Sequence, residues 1–129
     1  MGITNPLCIC LGASAGALLR WGFGTMFNSI FPTLPLGTLA SNLIGGFCIG
    51  VFMACLKQYA FFPEAARLFI ATGFLGGLTT FSTFSAETVT LLSQQQYLWS
   101  SIIILSHVAG TIFSTFLGIY SMKFVLGGL

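Results

Sequence analysis

Gly73-Phe74-Leu75-Gly76-Gly77-Leu78-Thr79-Thr80-Phe81-Ser82-Thr83-Phe84-Ser85 lies within an apolar stretch running from Ala65 to Leu92. That stretch is longer than the roughly 20 residues a single membrane crossing needs. Each of the adjacent glycines Gly76 and Gly77 costs a helix about 1 kcal/mol relative to alanine. The hydroxyl-rich run after them can bond the backbone locally and compete with the helix. The expectation is a broken helix, with unwound backbone from Gly76 to Thr80. Open backbone at membrane depth survives only where protein, ion or water satisfies it. In transporters such breaks mark the ion or substrate site. A kink filled by neighbouring helices is the structural alternative.

The rest of the chain supports a membrane setting. Of 129 residues, 56% are hydrophobic and 5% charged, whereas a soluble domain carries about a quarter charged. The mean hydropathy is +0.99. The expected fold is an all-α membrane protein with four transmembrane helices, at about 7–27, 36–56, 65–92 and 97–125, in one domain spanning residues 1–129. Asn28 to Pro35, Gln58 to Glu64 and Ser93 to Gln96 are the connections. No Lys or Arg precedes Arg20, so the first stretch lacks the basic start of a secretory signal and reads as a retained span. The net charge of +2 is too small to suggest a nucleic-acid partner. Lys57, Arg67 and Lys123 fall on the side of the termini and Arg20 near the other, a soft lean toward cytoplasmic termini. Cys8, Cys10, Cys48 and Cys55 all lie in apolar surroundings and lack metal-site spacing.

Small residues recur at helical spacing: Gly12 and Gly16 with Arg20, Asn42 with Gly46 and Gly50, and Gly110 with Ser114 and Gly118. Such faces let helices approach closely, within a subunit or between subunits. Four spans enclose little by themselves, which favours an oligomer.

The polar residues inside the spans are few. His107, Thr111 and Thr115 form one stripe on the fourth span, either bonding their own helix or offering donors to an ion. Asn42 adds an amide on the second. Phe81 and Phe84 share a face beside the hydroxyls, and aromatic ring edges carry positive character that can attract an anion. Arg20 and Glu87 lie deepest among the charged residues. A charge at mid-span costs about 2.5–3.5 kcal/mol on insertion scales, so such groups pair or face water. Arg20 reads first as an anchor that snorkels to the interface and second as a vestibule group. No nucleophile, base and acid come together, and the chain is not expected to be an enzyme.

The string Gly76-Gly77-Leu78-Thr79-Thr80-Phe81-Ser82-Thr83-Phe84-Ser85 resembles the Fluc, or CrcB, family of fluoride channels. The resemblance extends over essentially the whole chain, through Arg20-Trp21, Gly37-Thr38-Leu39 leading to Asn42, and His107 with Gly110. No departure from the family pattern stands at these positions. It implies a fluoride-selective channel in a bacterial inner membrane, a multi-pass protein in contact with lipid. It implies a homodimer of antiparallel subunits with dual topology and two pores. Phe81 and Phe84 would line each pore, with Asn42, Ser82, Thr83, His107, Thr111 and Thr115 as the polar track. Backbone carbonyls of Gly76 and Thr79 from both subunits would hold a structural Na⁺ on the dimer axis. Arg20, Glu87 and Thr38 carry over as weaker candidates.

Two other functions compete. A small dual-topology multidrug/proton antiporter needs a carboxylate in its first span, and no Asp or Glu precedes Glu64. A non-transporting membrane subunit would use every polar residue above as helix glue.

Overall fold

The structure, a computed structural model, describes residues 2–127, and these form helices with no strand among them. Helix α1 spans Thr4–Phe27 and α2 Leu36–Gln58. The third span is composite. It comprises α3 (Glu64–Arg67), a π-helical segment (Leu68–Leu75), α4 (Gly76–Leu78) and, after two extended residues, α5 (Phe81–Ser93). The last helix, α6, covers Tyr97–Val125. Four helical stretches, Thr4–Phe27, Leu36–Gln58, Glu64–Ser93 and Tyr97–Val125, are long and apolar enough to cross a membrane. They match the expected spans to within a few residues.

Local chemistry sets the ends. Pro6 lies in the first turn of α1, where a missing N–H costs nothing. Pro35 precedes α2 in an extended conformation and has no capping side chain. Asn28 supplies the cap from outside the helix, its Oδ1 accepting the Thr38 N–H at 3.1 Å. Lys57 sits in the last turn of α2, complementing the helix dipole.

The small-residue faces are used inside the chain. A Cβ on Gly12 would collide with the Phe69 carbonyl, and one on Gly16 with the Phe74 carbonyl. Helix α1 therefore lies backbone to backbone along the first half of the third span. Helix α2 lies likewise along α6: Gly46 faces Thr111, Gly50 the Thr115 carbonyl, and Gly118 the Phe47 carbonyl. Helix α5 instead packs on α6 through buried Phe84, Leu91 and Ile103, with Leu34 and Trp99 at the edge. The third span thus changes partner from α1 to α6, and the break is the changeover.

The break is shorter than the glycines suggested. Gly76 is helical (φ −63, ψ −36), as is Leu75 before it. The unwound residues are Thr79 (φ −87, ψ 153) and Thr80 (φ −148, ψ 117). Gly77 serves close approach, because a side chain there would meet the Ala13 backbone. The β-branched threonines adopt the extended backbone that suits them. Thr80 then starts α5, its Oγ1 accepting the Thr83 N–H at 3.1 Å.

Candidate functional site

Of the two unwound residues, Thr79 bonds back to the Leu75 carbonyl through its N–H and hydroxyl, at 3.1 and 2.8 Å, and Thr80 is held by one side chain. Thr80 N–H donates to Asn42 Oδ1 at 2.8 Å, and Asn42 Nδ2 donates to the Thr80 carbonyl at 3.0 Å. Asn42 so replaces, for this residue, the helical partners that the break removed. Its Nδ2 also lies 2.9 Å from His107 Nδ1. The amide is 8% exposed and the imidazole 4%. His107 Nε2 is buried with no hydrogen-bond partner among the described residues.

Around this cluster runs an open groove lined by Asn42, Thr79, Thr80, Phe81, Phe84, His107 and Thr111, with Val108 and Ile112. Phe84 stacks on His107, with centroids 4.6 Å apart and planes at 25°. Phe81 meets Phe84 edge to face at 5.4 Å. The two rings differ in setting: Phe84 is 7% exposed and Phe81 78%.

The remaining residues divide among neighbouring grooves. Thr115 lies with Asn42, Thr111, Gly76 and Thr79 in a second groove, where Ala71, Leu75 and Ile49 complete the wall. Its hydroxyl is satisfied by the Thr111 carbonyl at 3.0 Å. Asn42, Thr79 and Thr111 line both grooves. Thr83, Thr38 and Arg20 face a third groove with Trp21, Thr25, Asn28 and Thr80. Ser82 is exposed, its hydroxyl 3.3 Å from Thr80 Oγ1. Glu87 lines a fourth groove with Pro32, Thr33, Pro35, Gln94 and Gln96. One of its oxygens accepts from Thr38 Oγ1 at 2.7 Å, and the other is buried without a partner among the described residues.

Arg20 does more than reach toward an interface. Its Nε donates to the Gly77 carbonyl at 2.9 Å, one of the acceptors released where α4 ends. Replacing it with leucine is expected to strand that carbonyl, at about 1–3 kcal/mol. The measurement is the unfolding temperature of the purified protein, and Arg20→Lys should recover part of the loss.

By contrast, no donor among the described residues reaches the carbonyls of Gly76 and Thr79. Gly76 is exposed, and a Cβ there would find only the Ala71 carbonyl, at 3.6 Å. Carbonyl oxygens without donors are hard ligands that suit a cation such as Na⁺, so this pair fits one. One chain offers two such oxygens, fewer than a cation takes.

Thr80 and Asn28 were not among the expected site residues. Thr80 carried a signal, a hydroxyl three residues before Thr83 at a helix start. Asn28 carried none, since its partner lies across a loop.

Four apolar spans, the third interrupted beside a groove of aromatic rings, hydroxyls and a buried imidazole, define a small polytopic membrane protein of the permeation class. The chain belongs to the CrcB family: the family model described as "CrcB-like protein, Camphor Resistance (CrcB)" matches residues 7–119. Among its relatives is a protein of Nitrosospira multiformis named fluoride-specific ion channel FluC. That protein is 55% identical over 97% of this chain and 98% of its own length. A protein of the same name from Thiobacillus denitrificans is 51% identical over 95% of this chain and 99% of its own. A third, from Pseudomonas paraeruginosa, is 50% identical over 94% and 95%.

Proposed function

We propose that the chain is a fluoride channel of a bacterial inner membrane, passively exporting cytoplasmic fluoride. The observation that carries this reading is the groove at the break, where a buried imidazole, a threonine hydroxyl and two phenylalanines converge with no charged side chain among them. Fluoride is strongly hydrated, and a bare ion pays tens of kcal/mol by Born estimates on entering a low-dielectric medium. Polar donors replace its water, and ring edges hold it weakly enough to release it, as conduction requires. Fluoride that enters a cell as neutral HF ionises inside, and the membrane potential drives the anion out. The names of the relatives support the choice of ion.

The working unit is a homodimer of antiparallel subunits, embedded in lipid, with two pores. One chain presents a trough of about 320 Å³ with one side open, and a second copy would close it. Gly76 and Thr79 would hold a structural Na⁺ together with their counterparts on the dimer axis. Bound there, the ion would satisfy the freed carbonyls and place a fixed positive charge between the pores.

Fluoride efflux from proteoliposomes containing only the purified protein tests the channel. Rapid efflux without a proton or cation gradient supports it, while no efflux, or efflux that requires such a gradient, overturns it. Gly76→Val tests the axial site separately. A Cβ at this position meets only ordinary contact with the Ala71 carbonyl, at 3.6 Å, so the subunit should fold while the dimer weakens and fluoride flow falls. A stable, fully conducting Gly76→Val dimer would exclude the cation site.

A further inference from the structure

Arg20 ends a line of close contacts. Gly12, Gly16 and Arg20 recur every four residues on one face of α1. The two glycines bring that face against the backbone of the third span, at the Phe69 and Phe74 carbonyls. Arg20 continues the line to the break, where its Nε donates to the Gly77 carbonyl at 2.9 Å. Gly77 itself lies against α1, since a side chain there would strike the Ala13 carbonyl. One helix thus holds this residue both at its α-carbon and at its oxygen.

The carbonyls at the break fall into pairs. Gly76 meets no donor among the described residues, while Gly77 after it is held by Arg20. Thr79 meets none, while Thr80 after it is held by Asn42 Nδ2 at 3.0 Å. Each oxygen that would face a cation is therefore followed by one tied to another helix. Peptide units are planar, so neighbouring carbonyls turn relative to one another only through the two dihedrals of the residue between them. Here that residue is glycine, which restrains those dihedrals least. Resting on the axial-cation reading above, we propose that Arg20 is a positioning residue for that cation: through the Gly77 carbonyl it fixes the direction of the Gly76 oxygen. Groups that orient metal ligands without touching the metal change its affinity roughly 10- to 100-fold. The charge of Arg20 acts the other way, because a nearby positive group repels a cation. Position and charge therefore predict opposite effects when Arg20 is removed.

Thermal unfolding of the purified dimer, with sodium chloride exchanged for choline chloride at constant ionic strength, reads the cation. A ligand that binds only the folded state stabilises it once its concentration passes the dissociation constant. Wild-type protein should unfold at higher temperature as sodium rises. In Arg20→Leu the sodium concentration at which that rise begins should increase roughly 10- to 100-fold. Arg20→Lys keeps a donor and should fall between the two. Were Arg20 only a brace between helices, Arg20→Leu would unfold earlier by a similar margin at every sodium concentration. Were its charge dominant, the variant would bind sodium more tightly than the wild type. Either result overturns the proposal.

A second measurement needs no Arg20 variant. The chain has two arginines, Arg20 and Arg67, so ¹⁵Nε-arginine labelling gives two signals, and Arg67→Lys identifies the one from Arg20. Sodium should shift the Arg20 Nε–H signal over the concentrations that stabilise the dimer, and choline should not. If sodium stabilises the wild type while this signal stays still, the proposal fails and the cation site stands. If sodium does not stabilise the wild type, the cation site falls and the proposal with it.

Discussion

Valine at position 50 is expected to eliminate the folded subunit. The added side chain would collide with the Thr115 carbonyl and crowd the Ile119 N–H, at 3.0 Å from its Cβ. Both are backbone atoms of α6, so no rotamer change relieves the contact and the two helices must separate. Ordinary overpacking costs about 1–3 kcal/mol, and a clash with rigid backbone exceeds that range. Gly118→Val should behave the same way, because it strikes the Phe47 carbonyl from the opposite helix. Gly22→Ala is the control, since its Cβ meets nothing within 4 Å. The measurement is the fraction of detergent-extracted protein eluting as a single symmetric species. A Gly50→Val protein that elutes and unfolds like the wild type would refute the backbone-to-backbone packing of α2 on α6.

The second large effect is on transport. Isoleucine at both Phe81 and Phe84 keeps apolar bulk but removes the ring quadrupoles beside His107. Aromatic contacts contribute about 0.5–1.5 kcal/mol each beyond area burial. Losing two would lower fluoride occupancy roughly 5- to 140-fold, at a factor of ten per 1.4 kcal/mol. The single variants should differ. Phe84 is buried against Leu91 and Ile103 and stacks on the imidazole, so Phe84→Ile should lower both stability and flux. Phe81 is 78% exposed, so Phe81→Ile should lower flux while leaving the subunit's unfolding temperature nearly unchanged. Efflux per folded dimer, with dimer content from size-exclusion chromatography, separates the two. A double variant with the wild-type rate would remove the rings from the mechanism and leave the channel assignment intact.

Much of this architecture was legible from residue type. Apolar runs between sparse charges place four spans because burying charge in lipid is expensive, and that holds whatever the helices pack against. The break was legible as well, because Thr79 and Thr80 follow two glycines and precede a run of hydroxyls. Its exact extent was not. Glycine's low helix propensity pointed to unwinding at Gly76 and Gly77, but the backbone of α1 lies against Gly77 and gives that glycine a packing role. Propensity is worth about 1 kcal/mol per residue and yields to tertiary contact of this kind.

The small-residue faces show the same division. Spacing marked Gly12, Gly16, Gly46, Gly50 and Gly118 as points of close approach, while the choice between neighbours within the chain and across a dimer belonged to the packing. In the structure these glycines meet backbone of their own chain. The polar residues followed a similar course. Their identities were legible, since hydroxyl, amide and imidazole groups are rare in lipid and stand out. Their grouping was not, because Asn42, Thr80 and His107 come from three different spans and meet only when those spans pack. Sequence by itself determined the spans, the place of the break and the residue types that could meet an ion, all of which follow from local chemistry and hydrophobic patterning. Tertiary structure alone decided that Asn42 spends its hydrogen bonds on Thr80 and His107, that Arg20 serves the Gly77 carbonyl and that the carbonyls of Gly76 and Thr79 meet no donor among the described residues. Hydrogen-bond saturation depends on which groups come within about 3 Å of one another, and contacts between residues far apart in the chain are set by helix packing.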